Sequence, residues 1–388
     1  MEKSFHYFAT YCAAHFAGYT HEECLDICYS AQFVDLCTRT LLSKLQGPMA
    51  AATTQTQMEL ADANTDPVGL RDITRIWASF HFLPGDLYAQ KAHCSKRYLR
   101  KYRLICDTNG DLLTDTVELA KGRSLQAVGI AMHVLADTWA HRYFAGTPSL
   151  VINNTNPYFT ELLQEDGGTV ERKIRFRHKT SGDDDLENGL YTNSLYQSNE
   201  NSIMNLGHGR AGHLPDYSFA RYKYVTAWGD YEETLKDNPH DFLYAFAQMI
   251  RAMKYLRGEE DVFEKESYDF EAFAAYRERI EAILSKRQLD ACADWCALGR
   301  ELSGREIPDF DLEQYQAEYM EAGDEAKDET FLGRFFIGAL AQKSMVTNKI
   351  YKSGSKLAGY SVDFDQKGFK GMRDFERLID RSREESDE

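Results

Sequence analysis

The stretch Ser124-Leu125-Gln126-Ala127-Val128-Gly129-Ile130-Ala131-Met132-His133-Val134-Leu135-Ala136-Asp137-Thr138-Trp139-Ala140-His141-Arg142-Tyr143-Phe144-Ala145 is apolar on nearly every side. A helix of that composition belongs in a core. Its exceptions are His133, Asp137 and His141, four residues apart. At 3.6 residues per turn they form one stripe, drifting by ~40° per step and ~12 Å long. An unpaired carboxylate and two imidazoles are costly to bury. A bound metal offsets that cost, and so does a fully satisfied hydrogen-bond network. Both readings stand at this point.

The bulk numbers bound the answer. With 388 residues, 43% hydrophobic and 27% charged, the chain is globular and large enough for one big domain with additions. The formal net charge of -16 argues against a general binder of nucleic acid or anionic membrane. No run of about 18 apolar residues is present, so no transmembrane segment is expected. No charged-then-apolar leader with a small-residue cleavage site opens the sequence, which predicts a cytoplasmic protein. The eight cysteines, at 12, 24, 28, 37, 94, 106, 292 and 296, are then expected as reduced thiols. None forms the Cys-x2-Cys knuckle of a structural zinc site.

Working outward, Thr20 and Glu23 make a capping box that opens a helix read as running from His21 to Leu45. Further helices are expected over 50–62, 68–82, 86–106 and 240–257. The clearest ones beyond Gly258 span 268–287, 289–303, 311–322 and 328–347. Residues 146–220 change character, with loop signals and one strand pattern over Thr169–Lys179. The expected class is all-α: a helical bundle (1–257) with a loop-and-strand insertion (146–220) over its mouth. An acidic helical C-terminal extension (258–388) follows, ending in a charged tail over Arg381–Glu388.

Other ligand-type side chains also stand in apolar settings. His6 lies between Phe5 and Tyr7. Asp35 closes Tyr29-Ser30-Ala31-Gln32-Phe33-Val34-Asp35. His81 lies in Phe80-His81-Phe82-Leu83-Pro84. Gly207-His208-Gly209-Arg210-Ala211-Gly212-His213-Leu214-Pro215-Asp216 adds two histidines and a carboxylate. Imidazole with carboxylate and no thiolate is a catalytic-zinc or manganese-like donor set.

The order His, Asp, His, His-x3-Asp-x3-His, His and carboxylate resembles the zinc-dependent phospholipase C family and the fungal single-strand-specific nucleases that share its fold. The segments ending at Asp35 and starting at His81 resemble two of that family's ligand segments. The likeness covers about residues 1–257, and the chain as a whole also resembles an uncharacterised family of bacterial proteins. The resemblance implies a phosphodiester or monoester hydrolase with two or three Zn2+ ions, Mn2+ or Fe2+ being alternatives. It implies one metal on Asp35, His81 and His133, and a second using His6. Asp137 would bridge these two. A third metal would use His141 with His213 and Asp216, His208 being the rival for the His213 place. Arg142 and Arg210 are candidates to neutralise charge on the transferred phosphoryl group. The expected substrate is a small-molecule or lipid-headgroup phosphoester, with nucleic acid disfavoured by the net charge. The families use an N-terminal amine as a ligand; without a leader, no such role is expected of Met1. The competing reading is a non-enzymatic protein with a structural or sensed metal.

Two basic runs, Lys96–Arg103 and Arg172–Lys179, read chiefly as solvated faces. His240-Asp241, after Pro239, reads as a helix start that favours the dipole.

Overall fold

The computed structural model describes residues 1–63, 65–155, 158–165, 167–177, 182–193, 206–230 and 232–360. The expected tail over Arg381–Glu388 lies outside these residues.

The apolar stretch forms a helix over Leu125–Ala140, opened by Ser124, whose side chain accepts from the Ala127 amide. Every residue from Gln126 to Ala140 is buried. Around it pack the helices His21–Phe33, Asn238–Leu256, Phe331–Lys352, Asp111–Ala120 and Pro67–Phe80. The closest approach is to His21–Phe33. A Cβ on Gly129 would stand 2.4 Å from the Ile27 carbonyl oxygen, so only glycine lets the two backbones meet there.

The central helix stops at Ala140, not Ala145, which makes His141 its C-cap. Buried Lys236 donates to the Trp139 carbonyl at 2.8 Å and pairs with Asp241 at 2.5 Å. A cation at a helix C-terminus is favourable. Asp241 therefore answers Lys236 as well as His240, which lies 3.4 Å away.

The helix expected over His21–Leu45 is two: His21–Phe33 and Arg39–Lys44, the second capped by Thr38. The break carries Asp35 out of helical register. The basic helix expected over 86–106 is confined to Lys96–Tyr102, because Ser95 caps its start and the residues before it form turns.

The molecule is mostly helical rather than all-α. Among the described residues six strands follow the central helix: β1 (Thr160–Glu165), β2 (Gly168–Lys173), β3 (Arg175–Arg177), β4 (Leu190–Thr192), β5 (Arg221–Val225) and β6 (Glu233–Asp237). Four form an antiparallel sheet in the order β2-β1-β5-β6, and β3 pairs with β4 in parallel. The strand expected over Thr169–Lys179 is β2 and β3, interrupted where Ile174 turns into the core; His178 and Lys179 lie outside the described residues. The sheet buries an aromatic cluster of its own, with Phe144, Phe159, Tyr191, Tyr222 and Tyr224.

Residues on both sides of 257 pack into one core cluster. Trp295 packs edge-on against Phe5, and Phe335 against Phe33. The helix Phe331–Lys352 lies against the central helix inside the main cluster. All eight cysteines are free thiols.

Candidate metal centre

Asp137 is 1% exposed and organises the centre. Its two oxygens address different groups. Oδ1 lies 3.1 Å from His6 Nε2 and accepts from the Met1 amine at 2.7 Å. Oδ2 lies 3.2 Å from both His81 Nδ1 and His133 Nε2. Asp35 stands behind these two, its Oδ1 3.8 Å from His81 Nδ1 and 3.9 Å from His133 Nε2.

Each element delivers its side chain for a local reason. His6 lies in a π-helical turn, Ser4–Ala9, that runs into the helix Thr10–Phe16. Such wide turns are rare and recur at functional sites. His81 is the C-cap of Pro67–Phe80, His141 that of the central helix, and Asp35 follows the end of His21–Phe33. Three helix C-termini thus converge, and their partial negative charge favours a cation between them.

The second end of the stripe gathers His141, His208 and Asp216. His141 Nε2 is 3.0 Å from Asp216 Oδ1, and His208 Nε2 is 3.6 Å from Asp216 Oδ2. The Met1 amine lies 3.4 Å from both His141 Nε2 and Asp216 Oδ1. His213 also reaches Asp216, at 3.3 Å through Nδ1, but its side chain is 46% exposed. Three sets therefore have ligand atoms within 4.8 Å of one another: His6, His133 and Asp137; Asp35, His81 and His133; His141, His208 and Asp216.

Hydrogen bonds to backbone carbonyls test whether these residues suit a metal. His133 Nδ1 donates to the Ala31 carbonyl at 2.8 Å, and His81 Nε2 to that of Thr53 at 3.1 Å. His141 Nδ1 donates to the His81 carbonyl at 2.6 Å, and His208 Nδ1 to that of Gly212 at 2.7 Å. A carbonyl only accepts, so each of these nitrogens carries the proton. In a neutral ring the other nitrogen presents a lone pair, and each of these faces a carboxylate oxygen. Lone pair against lone pair is unfavourable unless a proton or a metal lies between. Histidine ligands commonly show this outer-shell pattern. His6 differs: its Nδ1 is buried with no partner, and its ring stacks on His133 at 3.8 Å.

The electrostatics follow from this crowding. Burial pushes the Asp137 carboxyl up, but His141, the Met1 amine, His133 and His6 together hold it well below the usual range. Asp216 behaves alike, burial being overcome by His208, the amine and the adjoining His141 and His213 rings. Burial, His133 and the amine push His6 down to about 3. Burial also lowers His208, to about 4 despite the Asp216 charge. The amine is raised to about 11, since Asp137, Asp216 and Asp35 outweigh its burial.

All nine ligand candidates named from the sequence meet in this region. The Met1 amine, of which no role is expected from the sequence, lies beside Asp137 and Asp216. Arg142 is not brought to the centre. Its Nε bonds Asp107 at 2.7 Å and its guanidinium lies over the Tyr143 ring, because the chain turns sharply at Tyr143 (φ 81°). Arg210 sits in the turn Gly209–Ala211, between His208 and Asp216. The glycines beside it serve packing: a Cβ on Gly207 would overlap the Phe82 ring, which stacks on His141. A cavity of about 740 Å3, lined in part by Tyr102, Tyr143 and Trp228, touches none of the nine candidates.

Fold and centre define a class: a mostly helical protein whose core encloses a histidine–aspartate constellation of metal-ligand type. The chain belongs to a family of unknown function, DUF6765, whose model matches residues 1–350. No curated protein and no solved structure matches it.

Proposed function

We propose that the protein is a metal-dependent phosphoester hydrolase with zinc as its resident metal. The observation that carries this is Asp137, whose Oδ1 faces His6 and the Met1 amine while its Oδ2 faces His81 and His133. The backbone-anchored tautomers of His81, His133, His141 and His208 support a metal over a protonated network. Asp35, His81 and His133 would hold one ion, and His6 with Asp137 a second beside it. His141, His208 and Asp216 would hold a third, with the Met1 amine between the last two sets. The donor set, nitrogen and oxygen without sulfur, suits Zn2+ and admits Mn2+ or Fe2+. Bound metal supplies Lewis acidity and lowers the pKa of bound water from 15.7 towards ~7. The chain's own part is to fix the donors, to keep the Asp137 side dry, and to leave Asp35 and His213 facing solvent. Arg210 is the remaining candidate for binding the ester anion.

A second reading rests on the same burial. Met1, His6, His133 and Asp137 are sealed, with side chains at most 1% exposed, as in a structural metal site without an open position. Metal analysis of freshly purified protein, followed by assays on generic phosphodiester and monoester substrates, separates the readings. Bound zinc with turnover is expected. Bound metal without turnover favours the structural site. Metal-free protein that gains no thermal stability from added Zn2+, Mn2+ or Fe2+ overturns both.

A further inference from the structure

The helix Lys96–Tyr102 carries Lys96, Arg97, Arg100 and Lys101. None of the four has an ion-pair or hydrogen-bond partner among the described residues, in a chain whose formal net charge is -16. On a helical wheel they fall within an arc of ~140°. Tyr98 and Tyr102 take the opposite side and pack onto the core.

The arrangement works against local stability. Lys96/Arg100 and Arg97/Lys101 are like-charged pairs at i,i+4, which repel. Lys96 and Arg97 also occupy the helix N-terminus, where cations are disfavoured. Partial burial together with the Arg97 charge holds the Lys101 pKa below the ordinary lysine value. No residue of this helix is buried. The flanks are nevertheless tied down. Lys91 bonds the Trp228 carbonyl and Asp230, each at 2.9 Å, and Arg103 Nε bonds the Ala89 carbonyl at 2.9 Å. The cations are held out on a fixed support.

We propose that this face is a docking surface for an extended acidic segment of a protein partner. Lys96, Arg97 and Arg100 are exposed, and a small anion there would keep most of its hydration. A membrane or a long nucleic acid would also meet the rest of a strongly acidic protein, beyond the ~8 Å over which salt screens charge. A short acidic strand laid across the arc spans the four cations.

The test is fluorescence anisotropy of a labelled glutamate-rich peptide with the full chain, at low and at physiological salt. Binding that weakens with salt is expected. Arg97→Gln/Lys101→Gln should weaken it by about tenfold or more. That variant should melt no lower than wild type, because it removes repulsion. The proposal is overturned if the peptide fails to bind at low salt, or if the variant binds as wild type does. A variant that melts lower, giving the cations a role in the fold, would also overturn it. So would a single-stranded oligonucleotide, or vesicles of anionic lipid, engaging the same side chains more tightly than the peptide.

Discussion

The carboxylates of Asp137 and Glu161 are each about 1% exposed, and they are compensated in different ways. Glu161 on β1 accepts from Arg172 at 2.7 Å, from Arg287 at 2.6 Å and from the Tyr191 hydroxyl at 2.5 Å. Its partners are permanent cations and a hydroxyl, so it is complete as it stands. Asp137 is ringed by imidazoles, most of which have committed their proton to a carbonyl. Buried Lys343 does neither. It has one carbonyl partner, Ala50, at 2.5 Å, and burial pushes its pKa down to about 7. The three show paired, ion-demanding and neutralised solutions to one desolvation problem.

The largest expected effect breaks the ion-demanding solution. Asp137→Ala should lower metal content, with affinity falling by more than about 100-fold, while Glu161→Gln should leave metal content unchanged. Metal analysis of the two variants side by side decides the contrast. Equal loss in both would mean that Asp137 is no more a ligand than Glu161 is. Next, stripping metal with a chelator should lower the melting temperature. At a hundredfold excess of free metal over Kd the linked stabilisation is about 2.7 kcal/mol. The same titration should restore Glu161→Gln and fail to restore Asp137→Ala.

Within the centre, His208→Ala should lose metal while His213→Ala retains it, since His208 is anchored by Gly212 and His213 is half exposed. The reverse result would move the third set onto His213. A chain extended by two residues before Met1 should also bind less metal, because the amine is buried between Asp137 and Asp216; unchanged metal content would remove the amine from the centre. Glu161→Gln itself should cost about 1–3 kcal/mol in denaturant melts, since its arginines keep some water.

The smallest effect concerns Lys343. Its folded pKa, about 7, lies below the ordinary 10.5, so between those values the unfolded chain binds more protons. Stability therefore rises with pH across that window, and the penalty is complete below pH 7. Lys343→Met should remove the slope and add about 1–3 kcal/mol at neutral pH. A pH series of melting curves reads both; an unchanged slope would assign it to another group.

Much of this was legible in the sequence where a single residue broke an apolar pattern. His133, Asp137 and His81 were exceptions of that kind, and the fold brings them together. The sheet was less legible. Arg221-Tyr222-Lys223-Tyr224 alternates as a strand should, with the tyrosines inward, but the strands are only three to six residues long. Their pairing is non-local, and period alone does not show it. The break at Val34–Thr38 has no glycine or proline to mark it, and the apolar pattern runs on through it, so two helices read as one. Arg142 follows His141 directly but bonds Asp107 instead, since a residue just past a helix end need not share its neighbour's direction.

The contact at Gly129 has a consequence for the centre's tolerance to change. The helices His21–Phe33 and Leu125–Ala140 touch backbone to backbone there. The same pair of helices carries the Ala31 carbonyl that orients His133. The separation of those axes is therefore a calibration built from main-chain atoms, which no side chain can retune. A methyl group at position 129 would act as a shim, spreading the jaws of the centre without replacing any ligand.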